Sequence, residues 1–471
     1  MLRVGIALAR AVGRLSRLSR RGGGTSLPGK LLLRLSPNAV GVLARQLRRG
    51  SVIVSATNGK TTTANMIASV VGQAGISTAH NRTGANMPGG VATALLEHAP
   101  RGRIEGAELG LFEVDEAWVK PLLAELDPHT VVLGNLFRDQ LDRYGELERL
   151  ADEWALLVEQ RSTATTTYVL NADDPLVADL GRAQSGELRP GVVYFGVEDR
   201  SHSLPELEHA FDAKHCRRCG APYRYSSAYL GHLGDYACPS CGNARPSPAV
   251  AASRIRLEGM SGTEIEIATP AGRLELALPL PGLYNVYNAL AATACCLSLG
   301  LGLDRVRLGL QSFAAAFGRA EQLRVGSRTL SILLIKNPAG ANEVFRTLVA
   351  TSDRGKASNG GLDLLIALND RIADGRDISW IWDADFEILS ARARRVVCSG
   401  TRAPELALRL KYAGLEPERI EVVGALGDAL DRSLGADGGQ PLYALPTYTA
   451  LLELRELLSA RGYARPYWEP A

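Results

Sequence analysis

Six consecutive residues, Thr57-Asn58-Gly59-Lys60-Thr61-Thr62, carry the densest chemistry in the chain. They follow an apolar, β-branched run, Val52 to Val54, and open a helical pattern. A strand, a glycine turn and a helix that begins on lysine and hydroxyl residues make a phosphate-binding loop. Backbone N–H groups and the helix N-terminus face the phosphates, Lys60 adds a positive point charge, and the Thr61 hydroxyl can ligate Mg²⁺. The strict Walker spacing is not met, because Val54 stands where its first glycine would be. A shorter pattern, Ala56-Thr-Asn-Gly-Lys-Thr-Thr, fits instead. An Asn-Gly surface turn would not explain a lysine followed by three hydroxyl residues.

Such a loop needs an acidic partner for the metal. Glu113 follows the apolar run Leu109-Gly110-Leu111-Phe112, at the strand end where a Mg²⁺-holding carboxylate belongs. Asp115 and Glu116 are the weaker candidates, and a helix-capping carboxylate is the structural alternative.

A second constellation is built for a different metal. Cys216-Arg-Arg-Cys219-Gly and Cys238-Pro-Ser-Cys241-Gly are paired knuckles with 18 residues between them. Four thiolates at this spacing predict a tetrahedral Zn²⁺ site with no open position, hence structural zinc. Tyr223, Tyr225, Tyr229 and Tyr236 are expected to pack this ribbon, and His215 and His232 to be spectators.

A third constellation brings Asp370, Arg371, Asp374, Arg376, Asp377, Trp380 and Trp382 together after a predicted strand. That density reads as a site or an interface rather than solvated filler. Asn285 and Asn288, one turn apart at the start of an Ala/Leu-rich helix, could cap that helix or present amides to a purine.

The elements that must hold these groups alternate. Strands are predicted over 51–56, 76–80, 107–114, 129–135, 166–171 and 191–196, with helices over 60–74 and 146–160. This βαβ rhythm predicts a mostly parallel sheet covered on both faces, with ligands beyond the carboxyl ends of the strands. Polar clusters fall there, at His80 to Asn86, at Asn135 to Asp142 and at Asn171-Ala-Asp-Asp174. Short strands near 254–257, 264–268 and 274–278 return from the cysteine insertion. The rhythm resumes after 319, with strands near 329–335, 362–368, 395–399, 419–423 and 441–445, and helices over 341–350, 384–391, 404–413 and 447–460.

With 471 residues, two or three domains are expected, each able to bury a core. The net charge of +3 is unevenly placed: residues 1–96 hold 11 Arg and 2 Lys and no acid, which is +13 and leaves −10 for the rest. Seven cysteines in so long a chain are no disulfide framework and point to a reducing, cytoplasmic compartment. No stretch has the ~20 apolar residues that span a bilayer. On a helical wheel of residues 1–21, Arg3, Arg10, Arg14, Arg17 and Arg21 share one face, and Val4, Leu8, Val12, Leu15 and Leu18 another. Packing on its own domain is the plain reading of such a helix; an anionic membrane surface or a transit peptide are the others.

Ala56-Thr-Asn-Gly-Lys-Thr-Thr, Asn171-Ala-Asp-Asp, Pro281-Gly-Leu-Tyr-Asn-Val-Tyr-Asn-Ala-Leu-Ala-Ala and Gly318-Arg319-Ala-Glu321 resemble the ATP-binding landmarks of the Mur ligase family. Asn135-Leu-Phe-Arg-Asp-Gln-Leu-Asp142-Arg, the four-cysteine ribbon, Lys336-Asn-Pro-Ala-Gly and the loop from Asn369 to Asp383 resemble the MurT branch, the ligase subunits of lipid II isoglutaminyl synthases. The resemblance covers nearly the whole chain. Ala56 departs from it, standing where glycine is usual, and a methyl group there demands ordinary φ.

The resemblance implies an α/β chain with a basic helical segment over 1–50 and a central Mur-ligase-type P-loop ATPase domain over 51–318. A four-cysteine zinc ribbon would be inserted at about 211–246, and a smaller Rossmann-like α/β domain would occupy 319–471. It implies that ATP phosphorylates the α-carboxylate of D-glutamate in the lipid II stem peptide and that ammonia then attacks, giving D-isoglutamine. Lys60 would hold the β- and γ-phosphates, Thr61 and Glu113 the Mg²⁺, Asn288 the adenine and Arg319 the phosphates. All seven histidines lie at or before 232, so the last domain has Cys398 but no histidine to make a glutaminase. The resemblance supplies a separate glutaminase subunit of the GatD type, whose triad an aspartate of this chain would complete: Asp377, with Asp374 and Asp370 in reserve. The place of action implied is the inner face of the cell membrane. Two other readings compete: a free-standing amino-acid ligase of the Mur or folylpolyglutamate type, and a zinc-ribbon ATPase that binds nucleic acid, which the expected partner set excludes.

Overall fold

The computed structural model describes residues 2–18, 26–81, 85–139, 147–160, 166–208, 211–313, 319–354, 361–435 and 440–465. Arg82 to Gly84, Gln140 to Asp142, Gly318, and Arg21, together with the side chains of Arg17, Leu18 and Arg319, lie outside the described residues.

Two sheets organise the chain. The first contains β1 (Ser51–Ser55), β2 (Thr78–His80), β3 (Leu109–Glu113), β4 (Thr130–Leu133), β5 (Thr167–Asn171) and β6 (Val192–Val197). A hairpin of β7 (Arg224–Leu230) and β8 (Leu233–Ala237) stands apart, and β9 (Val250–Leu257), β10 (Thr263–Thr269) and β11 (Gly272–Leu278) complete the sheet. Its order is β11-β10-β9-β6-β5-β4-β1-β3-β2. Pairing is parallel from β2 to β9, and antiparallel between β9, β10 and β11. β1 lies between β3 and β4, so the carboxyl ends of all three meet at the phosphate loop.

The strand period of two explains the layers. Ile53, Phe112, Val131 and Leu170 enter one core, and Val52, Val54, Leu111, Val132 and Val169 the other. Helices Lys60–Gln73 and Leu283–Ser298 supply Ile67, Val70, Leu290 and Cys295 to the second. Of the described residues before β1, Ile6, Ala9, Leu32, Val40 and Leu43 join the first. The helix Leu27–Leu35 crosses the helix Pro88–Glu97 so tightly that a Cβ on Gly29 would sit 1.8 Å from Gly89 O, and Gly29 N donates to Thr93 Oγ1 at 2.9 Å. The helix Leu2–Leu18 packs through Gly5, Ile6, Ala9 and Gly13, not through the apolar face seen on the wheel.

The second sheet contains β12 (Arg319–Val325), β13 (Arg328–Leu333), β14 (Leu362–Ala367), β15 (Ala393–Ser399), β16 (Ile420–Val422) and β17 (Leu442–Pro446), in the order β12-β13-β17-β14-β15-β16. All pairs are parallel except β12–β13. Leu364 and Ile366 face one core and Leu365 and Ala367 the other, the doubly covered pattern again. The predicted helix over 384–391 is instead two single turns, Trp380–Asp383 and Glu387–Ser390. Ala384 is extended (ψ 136°) and Asp385 N donates to Asn342 Oδ1 at 2.7 Å, a tertiary bond that breaks the local pattern.

Candidate functional site

Gly59 makes the phosphate loop possible. Its φ is +90°, and a Cβ there would lie 2.0 Å from Asn288 Oδ1. The loop's other end is set by Ala56, which is buried with ordinary φ. Its methyl is accommodated because position 134 on the neighbouring strand end is glycine; a Cβ there would meet Ala56 Cβ at 2.9 Å. Asn135 then clamps the loop backbone, accepting from Asn58 N at 2.8 Å and donating to Asn58 O at 2.9 Å. Thr57 N donates to Asn135 O at 2.9 Å, and Thr57 Oγ1 accepts from Phe137 N at 3.1 Å.

Lys60 is buried and donates to Ala56 O at 3.1 Å and Glu116 Oε2 at 3.0 Å. Burial pulls its ammonium down, but Glu116, Glu113 and Asp115 together hold it above the ordinary lysine value. Burial likewise opposes ionisation of Glu116, and Lys60 and Lys336 overcome it, so the pair is charged on both sides. Glu116 ranked below Glu113 in sequence; its partnership with Lys60 spans 56 residues and has no local signature. Glu113 ends β3 and is 2% exposed, with its backbone N accepted by Asn81 Oδ1 at 2.9 Å.

These groups line a cavity of about 520 Å³. Thr57 to Thr62, Glu113, Glu116 and Asn288 form its floor, and Thr61 and Glu113 both face it. The Asn288 amide is engaged beneath the loop, accepting from Thr63 Oγ1 at 3.2 Å and donating to Asn285 Oδ1 at 3.0 Å. Arg319 begins β12, the edge strand of the second sheet, next to Ala320, which lines the cavity.

The second sheet's domain closes the cavity. Lys336 Nζ donates to Thr57 O at 3.0 Å and pairs with Asp139. Asn58 and Asn337 exchange two amide bonds, at 3.2 and 3.0 Å. Asp374 and Thr447 also reach the lining. Sequence marked Asn135 as a polar strand end and Lys336-Asn337 as part of a motif of the resemblance; it did not show that they meet.

The three candidate aspartates separate. Asp374 is buried, accepts from Thr449 N at 2.7 Å, and is pushed up by burial. Asp370 pairs with Arg402 at 2.8 Å and accepts from Thr401 Oγ1 at 2.8 Å. Asp377 is exposed, and the Ser379 N–H, at 2.8 Å, holds its carboxyl below the usual range. Nearby Trp382 and Tyr412, 50% and 71% exposed, stand edge to face at 5.8 Å. Cys398 is buried, and burial pushes its thiol up to about 12, so it is no nucleophile.

The four ribbon cysteines converge, with all Sγ atoms within 4.8 Å of one another. Cys216–Cys241 and Cys219–Cys238 sulfur separations are 3.6 and 3.4 Å. A tetrahedral zinc with bonds of about 2.3 Å needs sulfur–sulfur edges of about 3.8 Å, so donor set and spacing fit such an ion. Each knuckle ends on a glycine with positive φ, Gly220 and Gly242. Neither His215 nor His232 joins the cluster; His232 is fully buried, with Nε2 3.3 Å from Asp174 Oδ2. The hairpin's far end, Leu230 and Leu233, lines the main cavity. Its turn is tethered through Gly231 N to Glu208 at 2.6 Å, and Glu208 also grips Asn342 and Arg346 of the second domain.

Residues 54–221 match the Mur ligase middle domain family and residues 334–451 the MurT ligase C-terminal family. The chain is 31% identical over 454 residues to the lipid II isoglutaminyl synthase (glutamine-hydrolyzing) subunit MurT of Streptococcus pneumoniae, covering 95% of both chains. It is 32% identical to the Staphylococcus aureus protein of the same name, covering 93% of both. Among solved structures, a pseudomurein peptide ligase type C from Methanothermus fervidus superposes with a TM-score of 0.65 at 20% identity, over 89% of this chain and 80% of that one. Folylpolyglutamate synthase from Mycobacterium tuberculosis superposes with a TM-score of 0.60 at 16% identity, over 94% and 99%. These two show a shared fold alone. The chain belongs to the MurT branch of the Mur ligase family.

Proposed function

We propose that the chain is the ligase subunit of a glutamine-hydrolysing lipid II isoglutaminyl synthase. It amidates the α-carboxylate of D-glutamate in the lipid II stem peptide, by way of an acyl phosphate, during peptidoglycan synthesis. The observation that carries this is the cavity where the Lys60–Glu116 pair, Glu113 and, from the other domain, Lys336 come together. Cations and a carboxylate at a helix N-terminus suit phosphoryl transfer, where catalysis is positioning plus charge neutralisation.

In this reading residues 51–318 are the ATPase body, with the ribbon inserted at about 211–246, residues 319–471 are the closing domain, and the described helices of the basic segment over 1–50 cover one face of the body. ATP lies along Thr57 to Thr62, with Asn288 and Arg319 at its borders, and supplies the phosphoryl group. Mg²⁺ held by Thr61 and Glu113 would neutralise phosphate charge. Lys60 leaves Glu116 for the phosphates, and Lys336 approaches the activated carboxylate from above. Zn²⁺ on Cys216, Cys219, Cys238 and Cys241 is structural. Ammonia arrives from a glutaminase subunit of the GatD type, whose histidine Asp377 orients across an interface bearing Trp382 and Tyr412. Work takes place at the cytoplasmic face of the membrane that holds lipid II.

The test mixes the chain with lipid II, ATP, Mg²⁺ and glutamine, with and without the glutaminase, and weighs the product. Loss of one mass unit on amidation only when the partner is present is expected. Amidation from glutamine by the chain alone would overturn the two-subunit reading; incorporation of an amino acid would assign a free-standing ligase. DNA-stimulated ATP hydrolysis indifferent to lipid II would assign a nucleic-acid ATPase.

A further inference from the structure

The helix Leu2–Leu18 rests on the body through one face and leaves another bare. Gly5, Ile6, Ala9 and Gly13 are buried, and Arg10 Nη1 donates to Leu96 O at 2.8 Å. Val4, Leu8 and Leu15 are 64%, 50% and 65% exposed. With Ala11 they fall within roughly 60° of arc on a helix of 3.6 residues per turn, and Arg3 and Arg14 lie about a quarter turn away. The neighbouring helix Leu27–Leu35 extends the surface: Leu35 Cβ would stand 3.4 Å from a Cβ on Gly5, Leu27 and Leu35 are 52% and 42% exposed, and Lys30 and Arg34 face solvent.

Single exposed leucines are ordinary; a periodic stripe of them bordered by arginines is not. The exposed charges of the two helices specify the occupant: Arg3, Arg14, Lys30 and Arg34 are all basic, with Glu97 of the neighbouring helix beside Arg10 and Arg14. A second copy of the chain would bring Arg3 and Arg14 against their own like. A nucleic acid would use the arginines and leave the aliphatic stripe in water. An anionic bilayer satisfies both halves, because aliphatic groups enter the headgroup–acyl boundary while basic ones meet lipid phosphates.

We propose that this face seats the chain on the surface of an anionic membrane, with Val4, Leu8 and Leu15 as the inserted residues and Arg3 and Arg14 as the phosphate contacts. Among the described residues no helix is long and apolar enough to cross a membrane, so the contact is peripheral. The seat lies close to the site: the helix Pro88–Glu97 runs from Met87, which lines the cavity, to Leu96, whose carbonyl holds Arg10. Ten residues cover about 15 Å. The purpose rests on the reading of a lipid-linked substrate; the surface chemistry does not.

The experiment is sedimentation of the full chain with vesicles free of lipid II, made of phosphatidylcholine alone or mixed with phosphatidylglycerol. Binding to the anionic vesicles, weakened by salt, is expected. Arg3→Gln with Arg14→Gln should weaken it about 5-fold for each arginine removed. Leu8→Ser with Leu15→Ser should abolish it without changing the melting temperature, since both side chains are exposed. Equal binding to neutral vesicles, or full binding by the serine pair, overturns the proposal. So does a wild-type dimer that the serine pair converts to monomer without any vesicle binding, an outcome that would give the face to a second copy. Vesicles without lipid II make failure here independent of the amidation assay.

Discussion

Lys336 Nζ, on the loop after β13, donates to the carbonyl of Thr57, the first residue of the phosphate loop, at 3.0 Å. The two residues lie 279 positions apart and on different sheets. One hydrogen bond therefore reports that the second domain has closed on the first, and it delivers a cation to the cavity as it does so. Lys336→Met keeps much of the aliphatic stem and removes the charge. If Lys336 acts on charge that develops during phosphoryl transfer, kcat should fall by about 100-fold with a smaller change in the KM for ATP. A raised KM with kcat unchanged would make Lys336 a closure contact only.

A second interdomain bond depends on pH. Glu343, on the helix Pro338–Arg354, is buried and accepts from Leu283 N at 2.6 Å, capping a helix of the other domain. Burial pushes its carboxyl up to about 7, against the Leu283 N–H that favours the charged form. Between the ordinary value of 4.5 and 7 the folded chain holds a proton that the unfolded chain has lost. Stability should therefore decline as pH rises through that window, by up to about 3 kcal/mol above it. Glu343→Gln keeps an acceptor for Leu283 N and removes the titration. Urea melts from pH 4.5 to 8 should show the variant flatter than wild type and more stable at the alkaline end. Parallel curves would mean that Glu343 is already ionised throughout.

What could be read in advance follows from how each feature is encoded. β1, β3, β4, β5 and β6 are short apolar runs with polar groups at their carboxyl ends, so their positions and the side on which ligands bind are local information. The Lys60–Glu116 and Asn58–Asn337 pairs are not, because contacts between distant residues leave no period in the chain. The helix Leu426–Leu434 went unpredicted because Gly424 and Gly427 imitate a loop. The helix Leu303–Gln311 hides a glycine that has a packing reason: a Cβ on Gly309 would lie 2.4 Å from Val70 Cα. The N-terminal helix shows the limit of a wheel, since Gly5, Ala9 and Gly13 allow its close approach and Ile6 is the large side chain it buries, while Val4, Leu8 and Leu15 stay exposed.

The ribbon connects stability to the cavity. Its cysteines stand at one end of the hairpin, Leu230 and Leu233 at the end that lines the cavity, and Gly231 is tied to Glu208. Cys219→Ser, or a strong chelator, should remove bound zinc and cost several kcal/mol of stability. Because the hairpin shapes the wall rather than the reacting groups, the KM for ATP should rise by roughly 3- to 10-fold with kcat less affected. Metal analysis alongside kinetics is the check. Full activity in a zinc-free, correctly melting protein would detach the ribbon from the site.

Asp377 and Asp374 lie three residues apart, one exposed and the other buried, and this separates their mutants. Asp374 is buried, bonded to Thr449 and set on the cavity wall, so Asp374→Asn disturbs the chain's own site. Its activity should fall alike whether nitrogen comes from glutamine or from added ammonia. Asp377 is exposed, ionised and fixed by the Ser379 N–H at 2.8 Å, geometry suited to orienting a histidine that another subunit presents. Asp377→Asn preserves the acceptor for Ser379 but loses the charge, and the wrong tautomer of a triad histidine costs about 10⁴ in rate. Glutamine-driven amidation by the complex should fall by that order, while ammonia-driven amidation and complex formation stay at wild-type levels. Loss of binding between subunits would reduce Asp377 to an interface contact, equal loss with both donors would move it into the ATP site, and an unchanged glutamine rate would pass the triad role to Asp370.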